Sequence, residues 1–164
     1  MYRRHYDAIF GYCVHRLFER QTAEDVTSTV FLRAVENFGR FSGEHEKSFR
    51  NWLYTIASNA VNGYLRKSAR RAIIFKTVLE EAGKEKPDEP PDKLDEGELL
   101  LLKEAVLALK PVYQTIITLR FFENLKLTEI AEVLGKSPVT VRSQLARALT
   151  KLERKLSFAR REVQ

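Results

Sequence analysis

The sequence predicts an all-α protein built as two small helical domains, a helical bundle and a helix-turn-helix unit, joined by a flexible acidic linker. Three observations lead there. The 164 residues hold only 7 Gly and 5 Pro in a chain rich in Leu, Ala, Glu, Lys and Arg, which favours helix over sheet. Apolar residues recur at three- and four-residue steps, the period of one helix face. Charge is segmented. Residues 1–74 carry 12 Lys/Arg against 7 Asp/Glu, residues 75–103 carry 5 against 9, and residues 104–164 carry 11 against 6. Two basic blocks thus flank an acidic middle. That middle concentrates Pro87, Pro90 and Pro91 and offers little apolar surface to bury, as a solvated linker over 75–98 would.

The first segment, 1–74, reads as three helices. Arg3 to Phe18 carries Tyr6, Ile9, Phe10, Cys13, Val14 and Leu17 on one stripe. A second helix begins at Thr22 as N-cap, with Glu24 and Asp25 in a first turn that favours anions. Its stripe is Val26, Val30, Ala34 and Phe38, widened by Phe31 and Val35, and Gly39 supplies a stop. After the loop RFSGEHEK, a third helix runs from an N-cap at Ser48 to Arg66 or beyond. Phe49, Trp52, Leu53, Ile56, Ala60 and Tyr64 gather on one face of it, which favours core packing for Trp52 over a role as a wedge beside unpaired bases. The opposite face collects Asn51, Thr55, Ser58, Asn59 and Asn62 and ends in Arg66. Uncharged amides and hydroxyls lower helix propensity, so their concentration on one face asks for a reason. They can bond base edges without a counter-charge, and Arg66, Lys67, Arg70 and Arg71 beyond them suit phosphates.

The last segment, 99–164, reads as four helices: Leu99–Leu109, Val112–Phe122, a short helix capped by Thr128, and a long helix capped by Ser137 with Pro138 at its first position. Residues Leu127–Leu149, LTEIAEVLGKSPVTVRSQLARAL, form a helix-turn-helix pattern. Ile130, Ala131 and Leu134 pack the first helix, Gly135 opens the turn, and Val141, Leu145 and Leu149 anchor the second, with Leu152 and Leu156 extending the stripe. The outward face then presents Thr140, Ser143, Gln144 and Arg147, with Arg142 and Ala146 near its edge. Arg can bond guanine bidentately, Gln can bond adenine, and an Ala methyl can touch that of thymine. A major groove admits one such helix, N-terminal end first.

Other function classes find little support. The longest stretch free of charged residues, Asn51–Leu65, is too short and too polar to span a bilayer. The opening MYRRHYDAIF lacks the apolar core of a signal peptide, and the single Cys13 cannot form an internal disulfide, which fits a reducing cytoplasm. No Gly-rich phosphate loop, GxSxG or HExxH is present, so no enzyme, metal or cofactor is expected. Cys13 lies on an apolar stripe and reads as a core thiol, and His5 and His45 read as surface residues.

EIAEVLGKSPVTVRSQLARALTKLERKL resembles region 4 of the sigma-70 family of bacterial initiation factors, especially the small extracytoplasmic-function group. AEDVTSTVFLRAVENFGRF resembles the region 2 helix that binds core polymerase, and FRNWLYTIASNAVNGYLRKSARR the helix that reads the −10 element. Two matched blocks in the family's order are more specific than either alone. An autonomous helix-turn-helix regulator would account for 99–158 but not for the two earlier blocks.

The resemblance implies a non-enzymatic specificity subunit. Residues 1–72 would bind the β′ clamp helices of core RNA polymerase and open promoter DNA at −10, and residues 99–158 would sit on the β flap and read −35. Core contacts carry over to Asp25, Thr29, Arg33 and Glu36. The −10 contacts carry over to Phe41, Ser42 and Lys47 in the loop that captures a flipped base, and to Asn59, Asn62, Arg66, Lys67 and Arg70. The −35 contacts carry over to Thr140, Arg142, Ser143, Gln144, Ala146 and Arg147. An anti-sigma factor is a further partner the family allows. Ser28 and Thr29 stand where the family often has Gln-Glu or Gln-Asp, and Gly63 where it has Asp or Asn.

Overall fold

The structure, a computed structural model, describes residues 2–82 and 96–162. Seven α-helices follow one another: α1 (Tyr2–Leu17), α2 (Arg20–Asn37), α3 (Glu46–Ala82), α4 (Glu96–Leu107), α5 (Pro111–Ile117), α6 (Leu127–Leu134) and α7 (Pro138–Glu162). A 3₁₀ turn at Phe38–Arg40 ends α2, and a π turn at Thr118–Phe122 extends α5. No strand occurs among the described residues, so the all-α expectation is met.

The helix ends follow from local chemistry. The α2 cap is Glu19 and not Thr22: its carboxylate accepts from the N–H groups of Gln21 (2.8 Å) and Thr22 (2.7 Å). Asp, Ser or Thr is the usual choice there, but a Glu side chain satisfies the same orphan donors. Its carboxyl is held below the usual range by the Thr22 and Gln21 donors. Phe18 takes a left-handed backbone (φ 56°) to let the chain turn between α1 and α2. Pro111 sits at the start of α5, where its missing N–H costs nothing. Gly135, at φ 63°, closes α6 in the left-handed conformation that lacks a Cβ penalty only for Gly. Ser137 caps α7, its hydroxyl accepting from the Thr140 N–H at 3.1 Å.

Helix α3 starts two residues before the expected Ser48 and continues to Ala82, well past Arg66. Eight residues assigned to the linker, 75–82, are therefore helical, and 83–95 lie outside the described residues.

One apolar core runs through both halves. Ile9, Tyr12 and Cys13 of α1, Val26, Val30 and Ala34 of α2, and Leu53, Tyr54, Ala57 and Val61 of α3 are buried together with Ile116, Leu119, Leu125, Ile130 and Val141. A smaller cluster, Leu109, Tyr113, Ile117 and Ala148, holds α5 against α7. Burial pushes the Cys13 thiol up to about 11, so it is an inert core group, as expected. Trp52 is half-buried and packs on Phe41 and Phe49, at 5.2 and 5.7 Å between ring centres. His5, by contrast, is buried edge-on against Phe49 (5.3 Å) and is no surface residue, whereas His45 is exposed. Arg16 is also buried, reaching Gln114 Oε1 (3.2 Å) and the side-chain oxygen of Asn62.

Candidate nucleic-acid interface

The helix-turn-helix unit is α6–turn–α7. Its hinge is set by Ile130 and Ala131 of α6 and by Val141 and Ala148 of α7, all buried. Leu145 and Leu152 are partly buried behind them. Leu149, expected as an anchor, is 40% exposed, because Ala148 takes the inward position one residue earlier. With those residues inward, Thr140, Arg142, Ser143, Ala146 and Arg147 are all exposed, and Gln144 is half-buried and accepts from Lys136 Nζ at 3.3 Å. Val139 joins this face at 73% exposure, a β-branched apolar residue in the first turn that sequence reasoning passed over. The alternation of buried and exposed positions there could have revealed it.

The first half presents two surfaces. On α2, Asp25, Thr29, Arg33 and Glu36 are exposed and lie at four- and three-residue steps, so they form one stripe. Leu32 (60%), Val35 (76%) and Phe38 (60%) are exposed beside it. By type, Val35 and Phe38 are expected on the buried stripe. That stripe is narrower, with Ala23 and Thr27 completing it instead. Ala23, Val26, Thr27, Val30 and Ala34 span an arc that leaves Val35, about 100° round from Ala34, outside it, and Phe38 lies past the helix end at Asn37.

The second surface joins the loop before α3 to one side of α3. Phe41 stacks among Phe38, Phe49 and Trp52, with ring centres 5.2–6.3 Å away. Gly43 passes so near that a Cβ there would sit 2.5 Å from the Phe41 ring and 2.7 Å from the Ser48 Cβ. Ser42 and Lys47 are exposed beside it. Along α3, Asn59, Asn62, Arg66 and Arg70 follow steps of three, four and four, so they share one line, with Lys67 one residue off it. Asn59, Arg66, Lys67 and Arg70 are exposed, and Asn62 is turned toward Arg16.

The rest of the polar side of α3 is engaged within the chain. The Arg50 Nη2 donates to Glu129 Oε1 at 2.6 Å, and Lys47 Nζ lies 3.2 Å from the same oxygen. Asn51 Nδ2 donates to Glu132 Oε2 at 2.7 Å, and the Thr55 hydroxyl to the Val133 carbonyl at 3.0 Å. Tyr54 donates to Glu123 Oε2 at 2.7 Å, and Ser58 pairs with the Tyr12 hydroxyl at 2.9 Å. Burial pushes the Glu129 carboxyl up, but the Lys126 N–H, Lys47 and Arg50 outweigh it and hold the group below the ordinary value. Glu123 goes the other way: burial raises it, and Tyr54 and His15 offset only part. None of these pairings was visible in sequence, since the hydrogen-bonded partners stand 46 to 81 residues apart.

Comparison with known proteins fits this arrangement. Sigma-70 region 2 matches residues 1–71, and Sigma-70, region 4 matches residues 99–152. The RNA polymerase sigma factor YlaC of Bacillus subtilis is 30% identical over 99% of this chain and 93% of its own length. The ECF RNA polymerase sigma factor BldN of Streptomyces coelicolor is 31% identical over 95% of this chain, which spans 59% of that longer relative. The fold matches the sigma factor RpoE in the complex with the anti-sigma factor NepR from Bartonella quintana, with a TM-score of 0.65, 20% identity, and 93% and 92% of the two chains covered. Helix order and sequence together lead to one conclusion: the chain belongs to the sigma-70 family of RNA polymerase sigma factors, in its extracytoplasmic-function group.

Proposed function

We propose that the two halves of this sigma factor divide a promoter between them. The α7 face from Val139 to Arg147 reads the −35 element in the major groove. The loop 41–47 and the α3 line of Asn59, Asn62, Arg66 and Arg70, with Lys67 beside it, capture the melted −10 strand. The α2 stripe of Asp25, Thr29, Arg33 and Glu36, with Leu32, Val35 and Phe38 beside it, docks on core RNA polymerase. The phosphodiester chemistry belongs to the polymerase.

The observation that carries this reading is the exposed face of α7. Thr140, Arg142, Ser143 and Arg147 point outward from a helix whose opposite side is locked by Val141 and Ala148. A rigid helix with free hydrogen-bonding groups near its N-terminus is what groove reading requires. Each half alone binds DNA weakly. Joining two weak readers through one chain and one polymerase raises the effective concentration of the second once the first is engaged. No helix among the described residues is long and apolar enough to cross a membrane.

The test is run-off transcription with core polymerase, followed by mapping of transcript 5′ ends. Added protein should create new start sites that share −35 and −10 sequences. Start sites identical with and without it would refute the reading.

A further inference from the structure

We infer that Arg16 is a positioning residue for promoter reading: it holds the Asn62 amide with its oxygen inward, so that Asn62 can only donate to a base and selects keto over amino bases at one −10 position. This inference rests on the proposed part of Asn62 in −10 capture.

The orientation follows from counting donors and acceptors. A guanidinium has five N–H donors and no acceptor, and it keeps its charge when buried. Any group that bonds it must accept. Arg16 is buried, and its Nη1 donates to Gln114 Oε1 at 3.2 Å. Its Nη2 donates to Asn62 Oδ1 and, at 3.4 Å, to Thr115 Oγ1. Among the described residues no carboxylate pairs with it, so neutral oxygens alone meet the charge. Gln114 is oriented by the same logic. Its Nε2 donates to the carbonyls of Leu107 (3.1 Å) and Leu109 (2.9 Å), which leaves its oxygen for Arg16. An Asn62 amide turned over would set its NH2 against a buried cation. The bond that it makes instead is charge-assisted, about twice as strong as a neutral one. It also polarises the amide and makes Nδ2–H the better donor.

The helices hold this pair in register. One turn earlier, the hydroxyls of Tyr12 and Ser58 meet at 2.9 Å, so α1 and α3 are joined twice at the same offset of 46 residues. Arg16 and Asn62 both belong to the first half, so the bond between them needs nothing from α5. The other end of the amide is free. Asn62 is half-buried, and its Nδ2 has no acceptor among the described residues and reaches solvent. It lines one groove with Asn59 and Arg66. Asn59 differs: it is exposed and neither end of its amide has a partner among the described residues, so it can turn to suit a donor or an acceptor. Thymine and guanine carry a keto oxygen where cytosine and adenine carry an amino group. A donor-only amide bonds the first pair and meets the second donor to donor.

The test uses the full chain with core polymerase on a promoter library whose −10 element is randomised, and counts transcripts by sequencing. Ratios between bases at one position are internal to each sample, so a change in stability or total activity does not move them. Wild type should favour thymine and guanine over cytosine and adenine about fivefold at one position, the worth of one hydrogen bond. Asn62→Ala should erase that preference and so identify the position. Arg16→Lys, still a donor only, should keep it. Arg16→Gln can accept as well as donate, which frees Asn62 to turn over, and should bring the ratio close to one. Asn62→Asp keeps a partner for Arg16 but has no donor, and should reverse the ratio toward cytosine and adenine. If circular dichroism showed Arg16→Gln misfolded, Asn62→Asp decides. An undiminished keto preference in Arg16→Gln or Asn62→Asp would overturn the inference, as would wild type without such a preference at any position. Either result, obtained while wild type redirects transcript starts, leaves the proposed function standing; wild type that creates no new start sites would defeat both.

Discussion

Arg147 offers the cleanest perturbation of the proposed −35 surface. Its side chain is exposed and makes no ion pair or hydrogen bond with another described residue. Truncation to Ala therefore removes no contact from the folded chain, and the unfolding free energy should stay within the range of a neutral surface change, about ±0.5 kcal/mol. In DNA the position counts differently. A bidentate Arg–guanine pair discriminates by about 1–3 kcal/mol, or about 5- to 150-fold. Arg147→Ala should thus lower multi-round transcription by that factor at promoters with an intact −35 element. It should have little effect at promoters whose −35 sequence has been scrambled, where output is already low. Co-purification with core polymerase should be unchanged. Equal loss at intact and scrambled promoters would refute base reading by Arg147, and full activity at both would remove it from the interface.

Three further outcomes are expected. Gly43→Ala should displace the Phe41 ring and cost about 1–3 kcal/mol, as overpacking does; the emission of Trp52, the one tryptophan, reports it, and an unshifted spectrum would show that the loop yields freely. Arg33→Glu should weaken association with core polymerase at least about tenfold, the effect of reversing a charge inside an interface, and undiminished pull-down would place docking elsewhere. His5 has its pKa lowered chiefly by burial, with the N-terminus, Arg4 and Arg50 adding to it and Glu46 opposing it. The folded state then binds fewer protons than the unfolded one, so stability is present above about pH 6.5 and falls as pH drops through it. Urea midpoints at pH 7.5 and 5.5 should differ, and His5→Gln should shrink that difference; an unchanged difference would assign it to other groups.

The sequence made the helices and the exposed face of α7 legible, because both are local properties. The step of three and four residues located all seven helices, and the SPVTV cap with its inward Val141 oriented α7 correctly. Ends were less legible. Glu19 capped α2 in place of Thr22 because any oxygen within reach of the free N–H groups will serve. The width of a buried stripe was also hidden. Val35 and Phe38 look like core by type, yet Val35 lies outside the buried arc of α2 and Phe38 past the helix end, and both are exposed. Least legible was the polar side of α3. Its amides suggest bases, and only Asn59 among them is exposed. Asn51, Thr55 and Ser58 instead have partners within the chain, and those partners depend on how two distant segments meet.

Helix α3 spans Glu46–Ala82 without a break, 37 residues and about 55 Å at 1.5 Å each. Unbroken winding makes azimuth a function of residue count alone. Inserting one amino acid between Asn59 and Arg66 would swing Arg66 and Arg70 about 100° around the axis relative to Asn59 while leaving composition and charge nearly intact. Spacing along this rod is thus as much a determinant of what it can grip as the identity of the side chains it bears.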